Sequence, residues 1–154
     1  MNIIFLCTEG ENRLAKVVAV AGGLTFEEAV ESAAENLHAV REECARAIDV
    51  KIAAMDRLAD GGALSVERAA QLYVTACDVL DEAGAIGLDE LSEAGRSLCD
   101  LLAAAGQANA RAVRVHIDSM KTLRFPEIAG APELRAAVLQ GLREVTEKLR
   151  AGPG

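Results

Sequence analysis

Apolar residues recur along most of this chain in steps of three and four, the spacing that places them on one face of an α-helix. The longest such run begins at Phe26 and continues through Val30, Ala33, Leu37, Val40, Cys44, Ile48, Ile52, Met55 and Leu58. It predicts one long helix over about 25–59, roughly 50 Å at 1.5 Å per residue. Thr25-Phe26-Glu27-Glu28 fits a capping box at its start, and Gly61-Gly62 ends it. A helix that long exceeds the usual globular range of about 8–20 residues. It is expected to kink, to span the domain, or to supply a dimer contact.

Further helices follow by the same signals. Ser65 caps one whose inward positions are expected at Val66, Ala69, Leu72, Tyr73, Ala76, Cys77 and Leu80, ending near Gly84 to Gly87. The next runs from about Leu88 to Ala105 with Leu91, Gly95, Leu98, Leu101 and Leu102, and Gly106 closes it. Asn109 caps a helix to about Leu123 with Val113, Ile117 and Met120 inward. Phe125-Pro126-Glu127 breaks the chain, residues 128–131 read as a loop, and Pro132 suits the first turn of a final helix to Leu149. Before the long helix, residues 1–12 read as an arm of uncertain structure and Arg13 to Ala21 as a short helix. Residues 151–154 read as a loose tail. The expected fold is all-α, a bundle of five to six helices in a single domain over 13–150.

Composition agrees. Of 154 residues, 51% are hydrophobic but only 3% aromatic, so the core must be built from Ala, Leu and Val packed helix on helix. The net charge of −8 argues against nucleic acid and anionic membranes as partners, since both favour basic surfaces. The apolar start lacks a cationic leader region and is broken by Glu9, Glu11 and Lys16, which argues against a signal peptide. No stretch approaches a membrane span. The expected compartment is the cytoplasm, with Cys7, Cys44, Cys77 and Cys99 as reduced thiols, Cys44 and Cys77 on buried helix faces.

The chain has no phosphate-cradling glycine loop, no zinc-type cluster and no serine elbow, so no cofactor or metal is expected and a non-enzymatic role is. Two histidines bear on function. His38 lies between Glu35 and Glu42, where a phosphoryl group of charge about −2 would be repelled, and reads as a solvent-facing residue. His116 sits among Arg111, Arg114, Lys121 and Arg124, opposed by Asp118 alone. That makes it the candidate phosphoacceptor if the protein transfers phosphate. Against this, His116 lies at the edge of the apolar stripe, and phosphotransfer domains typically carry His-x-x-Lys-Gly where this chain has Ser119 and Met120. The same basic residues, Arg111, Arg114, His116, Lys121 and Arg124, form the candidate partner-binding face. An acidic stretch from Asp78 to Asp100 could instead pair with them inside the bundle.

Three blocks in order, residues 13–52, GRSLCDLL and AVRVHIDSMKTLR, resemble the small helical CheE proteins encoded among chemotaxis genes in alphaproteobacteria. The matching positions are Gly22, Gly23, Thr25, Asn36, Leu37, Arg41, Cys44, Ala47, Ile48 and Asp49, then Ser97 to Leu101, then Val115, His116, Asp118 and Met120. Arg96 stands where the family has a histidine. The resemblance implies a signalling or adaptor role in chemotaxis and no settled active site. The expected partner is a protein such as a response-regulator receiver domain, bound by a homodimer. The alternatives are a phosphotransfer protein acting through His116 and an oligomerising scaffold whose long helix pairs through Leu37, Val40, Cys44, Ile48 and Met55.

Overall fold

Thr25 and Glu28 close on each other at the first helix. The Thr25 hydroxyl accepts from the Glu28 amide at 3.2 Å, and the Glu28 carboxylate accepts from the Thr25 amide at 2.7 Å. These bonds satisfy two amides that a helix start otherwise leaves unpaired, and they hold the Glu28 carboxyl below the usual carboxylate range. They open α1, Phe26–Ala59, which is continuous over 34 residues.

The computed structural model describes residues 25–60, 62–104 and 109–150. The expected arm, short helix, tail and the Gly106 stop lie outside these residues. The chain divides into two compact units, residues 1–39 and 40–154. In the first, residues 25–39 form the opening turns of α1 and every one is exposed.

The second unit holds the rest of α1 together with α2 (Val66–Ala85), α3 (Asp89–Ala104), α4 (Ala110–Leu123), the single turn α5 (Pro126–Ala129) and α6 (Pro132–Arg150). The described residues are all-helical, a bundle, with no strand among them. Ser65 caps α2 by accepting from the Arg68 amide, and Asn109 caps α4 by accepting from the amides of Arg111 and Ala112 at 3.0 and 3.3 Å. Gly87, at φ +75°, lets the chain reverse between α2 and α3. Arg41 of α1 donates to the Ile86 carbonyl at that turn, at 2.9 Å.

The core of this unit draws on each long helix. Ile48, Ile52 and Met55 enter from α1, Leu72, Ala76 and Val79 from α2, Leu91 and Leu98 from α3, Val113, Ile117 and Met120 from α4, and Leu142 from α6. Helices α2 and α3 approach closely at Gly95, where an added Cβ would lie 3.3 Å from the Cα of Leu80.

Three expectations change here. Val66 and Tyr73 are exposed rather than inward, because α2 is covered on a narrower arc than its apolar residues occupy. Residues 126–129 form a helical turn where a loop was expected from position 128, with Pro126 providing the fixed φ that starts it. The stripe on α1 is also not covered along its whole length. From Ile48 onward its members enter the core, whereas Phe26, Val30, Leu37 and Val40 stay exposed.

Candidate functional site

Helix α4 carries four residues of the expected binding face and Arg124 is its C-cap, but at 100° per residue the helix presents them on different sides. Three turn toward α1. Arg114 lies 3.0 Å from Asp56, 2.9 Å from Asp60 and 3.5 Å from Asp118. Lys121 lies 3.1 Å from Asp56 and 3.5 Å from Asp118, and the bond to Asp56 raises its pKa. Arg124 grips Asp49 with two nitrogens, at 2.6 and 2.9 Å, the fork geometry that strengthens guanidinium–carboxylate pairs. These cations bind α4 to α1. The matching acids come from the long helix rather than from the acidic stretch between Asp78 and Asp100.

His116 faces the interior and is 0% exposed. Its Nδ1 lies 2.8 Å from the Ala112 carbonyl, which can only accept, so Nδ1 carries the proton. Nε2 of the neutral ring then accepts from the Ser97 hydroxyl of α3 at 3.0 Å. Burial lowers the imidazole pKa, against a smaller upward push from the Ala112 bond, so the ring is neutral near pH 7. Thr146 of α6 donates to the Leu142 carbonyl at 3.0 Å and sits 3.2 Å from Ser97 Oγ. The result is a hydrogen bond from α3 to α4, with the Thr146 hydroxyl of α6 packed beside Ser97.

This geometry bears on two chemistries. A phosphoacceptor needs an exposed ring nitrogen, and both nitrogens of His116 are buried and hydrogen-bonded. The burial that would make His116 a relay residue impossible without separating helices is therefore present in the fold. A serine held by a histidine also resembles an activated nucleophile. The Ser97 side opens on a polar cleft of about 220 Å³ bordered by Glu93, Arg96, Arg143 and Glu147. However, Ser97 lies within α3, where the neighbouring amides are spent on helix hydrogen bonds and none is left to stabilise an oxyanion.

Arg111, the fifth residue, is exposed and forms no ion pair among the described residues. It stands with Lys148 of α6 beside an apolar cleft of about 210 Å³ whose walls are Ala112, Val115, Val145 and Leu149. Lys148 likewise has no ion pair among the described residues. Ligand pockets typically begin near 300 Å³. This cleft is sized for a protruding side chain.

His38 is exposed, as expected. Cys99 is buried and its Sγ lies 3.4 Å from that of Cys77, while Cys44 and Cys77 are half-buried. Burial, aided by the Cys77 contact, pushes the Cys99 thiol up to about 12. No group of three or more His, Cys, Asp or Glu residues positioned to hold a metal occurs among the described residues. No helix among them is long and apolar enough to cross a membrane.

Sequence reasoning missed Ser97 as the partner of His116, Thr146 as the neighbour of Ser97, and Lys148 as the second cation of the cleft. One signal for the ion pairs was present. Asp49 and Asp56 are seven residues apart on one helix, as are Arg114 and Lys121 on another, and a seven-residue step keeps side chains on one face. No family model matches the chain, and no curated protein or solved structure is significantly similar to it.

Proposed function

We propose that this protein is a non-enzymatic adaptor of chemotaxis signalling that docks an acidic protein surface, that of a response-regulator receiver domain, in the cleft between α4 and α6. The pathway rests on the resemblance of the three sequence blocks to CheE proteins. The surface rests on one observation: in a chain of net charge −8, two cations with no ion pair among the described residues, Arg111 and Lys148, border an apolar cleft. Apolar walls supply the buried contact and the cations select the sign of the partner. Arg114, Lys121 and Arg124 hold α4 in place and so shape the cleft without contacting the partner.

The test is calorimetric titration of the chain with receiver domains, for the unaltered protein and for Arg111→Glu combined with Lys148→Glu. Reversing two exposed charges is expected to weaken binding about tenfold or more and to flatten its salt dependence. Circular dichroism should show unchanged helicity. Binding that is indifferent to both substitutions would refute the cleft, and no binding to any receiver would refute the partner.

A further inference from the structure

The exposed part of the α1 stripe differs from the buried part in its period. From Phe26 to Cys44 the apolar positions are 26, 30, 33, 37, 40 and 44, alternating steps of four and three. That is a strict seven-residue repeat, the pattern of a helix that pairs with another helix along a narrow seam. Beyond Cys44 the steps become four, four, three and three, and those residues enter the chain's own core. The seam is open: Phe26 is 80% exposed, Val30 52%, Leu37 59% and Val40 54%. The structure therefore separates what the sequence joined, a core-facing half and a half that stays exposed and without cover among the described residues.

We propose that the seam from Phe26 to Cys44 pairs with the same segment of a second copy of this chain, in antiparallel orientation. Two features of the segment choose a second copy and that orientation. The first is shape. With Asn36 beside the two-fold axis, antiparallel pairing sets Ala33 against Leu37 of the partner subunit, Val30 against Val40 of the partner subunit, and Phe26 against Cys44 of the partner subunit. Each small residue meets a larger one. A parallel pair would instead oppose Ala33 to itself and leave a hole.

The second feature is charge. In the antiparallel register Glu27 flanks the seam opposite Arg41 of the partner subunit, and the symmetry repeats the pair. Parallel pairing would bring neither Glu27 nor Arg41 near an opposite charge at the flanking positions. Arg41 already donates one bond to the Ile86 carbonyl, and a guanidinium has five donors, so both contacts can coexist. The capping box and the bundled second half hold α1 helical before association, which lowers the ordering cost of pairing. This inference is independent of the α4–α6 cleft: either can fail while the other stands.

Sedimentation equilibrium on the full chain provides the test, with Leu37→Lys as the disrupting variant. The unaltered chain is expected to dimerise, and Leu37→Lys to weaken association by about 100-fold or more, because two leucines leave the seam and two charges enter it. At concentrations too low for dimerisation the melting of the bundle should not change, since Leu37 lies outside the core. Orientation is read from Phe26→Cys under mild oxidation. On one helix positions 26 and 44 are about 27 Å apart, so a disulfide between the introduced thiol and Cys44 must join two chains. That cross-link, mapped by mass spectrometry, supports the antiparallel register. A monomer at 100 µM (roughly the upper range of working concentrations), a dimer indifferent to Leu37→Lys, or a disulfide between two introduced thiols would each overturn the proposal.

Discussion

Replacing Ser97 by Ala removes one hydroxyl and leaves a buried nitrogen without a donor. His116 is fully buried, its Nδ1 proton is committed to Ala112, and Ser97 Oγ is the donor that faces Nε2 at 3.0 Å. Thr146 keeps its own bond to Leu142, so a single group is orphaned. An unsatisfied buried acceptor costs about 1–3 kcal/mol. For a domain of this size that lowers the melting temperature by roughly 2–4 °C per kcal/mol. Urea unfolding followed by circular dichroism should show a lower midpoint with an unchanged slope. Combining Ser97→Ala with His116→Leu removes both partners and should recover part of the loss.

The same ring makes a pH prediction. Burial holds the folded pKa of His116 below its unfolded value of about 6.5. Above pH 6.5 the ring is neutral in both states and its contribution to stability is complete. As pH falls through 6.5 the unfolded chain takes up a proton that the folded chain refuses, so stability declines, by at most about 1.4 kcal/mol per pH unit, until the folded pKa is reached. The stability of the unaltered protein should therefore fall more steeply below pH 6.5 than that of His116→Leu. Parallel pH profiles for the two, or a Ser97→Ala variant within about 0.5 kcal/mol of the unaltered protein, would refute the buried, neutral histidine.

Two other substitutions read the packing directly. Gly95→Ala places a methyl group 3.3 Å from the Leu80 backbone; a helix backbone yields little, so overpacking of about 1–3 kcal/mol should outweigh the gain of up to about 1 kcal/mol in helix propensity, and a higher urea midpoint would show that α2 and α3 separate easily. Cys99, with its thiol pushed up to about 12, holds roughly a thousandfold less thiolate at pH 8 than an ordinary cysteine. Site-resolved alkylation should find it slow in the folded protein and fast in urea, and equal rates would place it on an exposed surface.

Helix positions were legible where a local rule sufficed. Thr25 with Glu28, Ser65, Asn109 and Pro132 each start a helix by chemistry within four residues, and the structure places helix starts at all of them. What lies opposite an apolar face is not a local matter. Periodicity marked Val66 and Tyr73 as inward, yet no element among the described residues covers them. It also drew one stripe along α1 without showing that cover begins near Ile48. Ser97, the partner of His116, lies 19 residues before it, and Thr146, which touches Ser97, lies 49 residues after Ser97, so no spacing rule could join them. The pairing of Cys77 with Cys99 across 22 residues was hidden in the same way.

The ion pairs of α4 show how a charge pattern can mislead about partners. Four bases against one acid between Arg111 and Arg124 suggest a free basic face. Folding uses three of those bases against Asp49 and Asp56 of α1 and Asp60 just beyond its end. Each half-exposed pair contributes only about 0.2–1 kcal/mol, too little to explain the fold but enough to fix which side of α4 faces α1. A partner docking on that side would first have to displace these carboxylates, losing as many charge contacts as it made. At 100° per residue Arg111 lies about 60–80° and Val115 about 100–120° around the helix from Arg114 and Lys121, turned away from the side that carries the ion pairs to Asp56. The charge a partner can use is therefore the charge the bundle has not already used. In α4 that leaves Arg111, and α6 brings Lys148 to the same cleft.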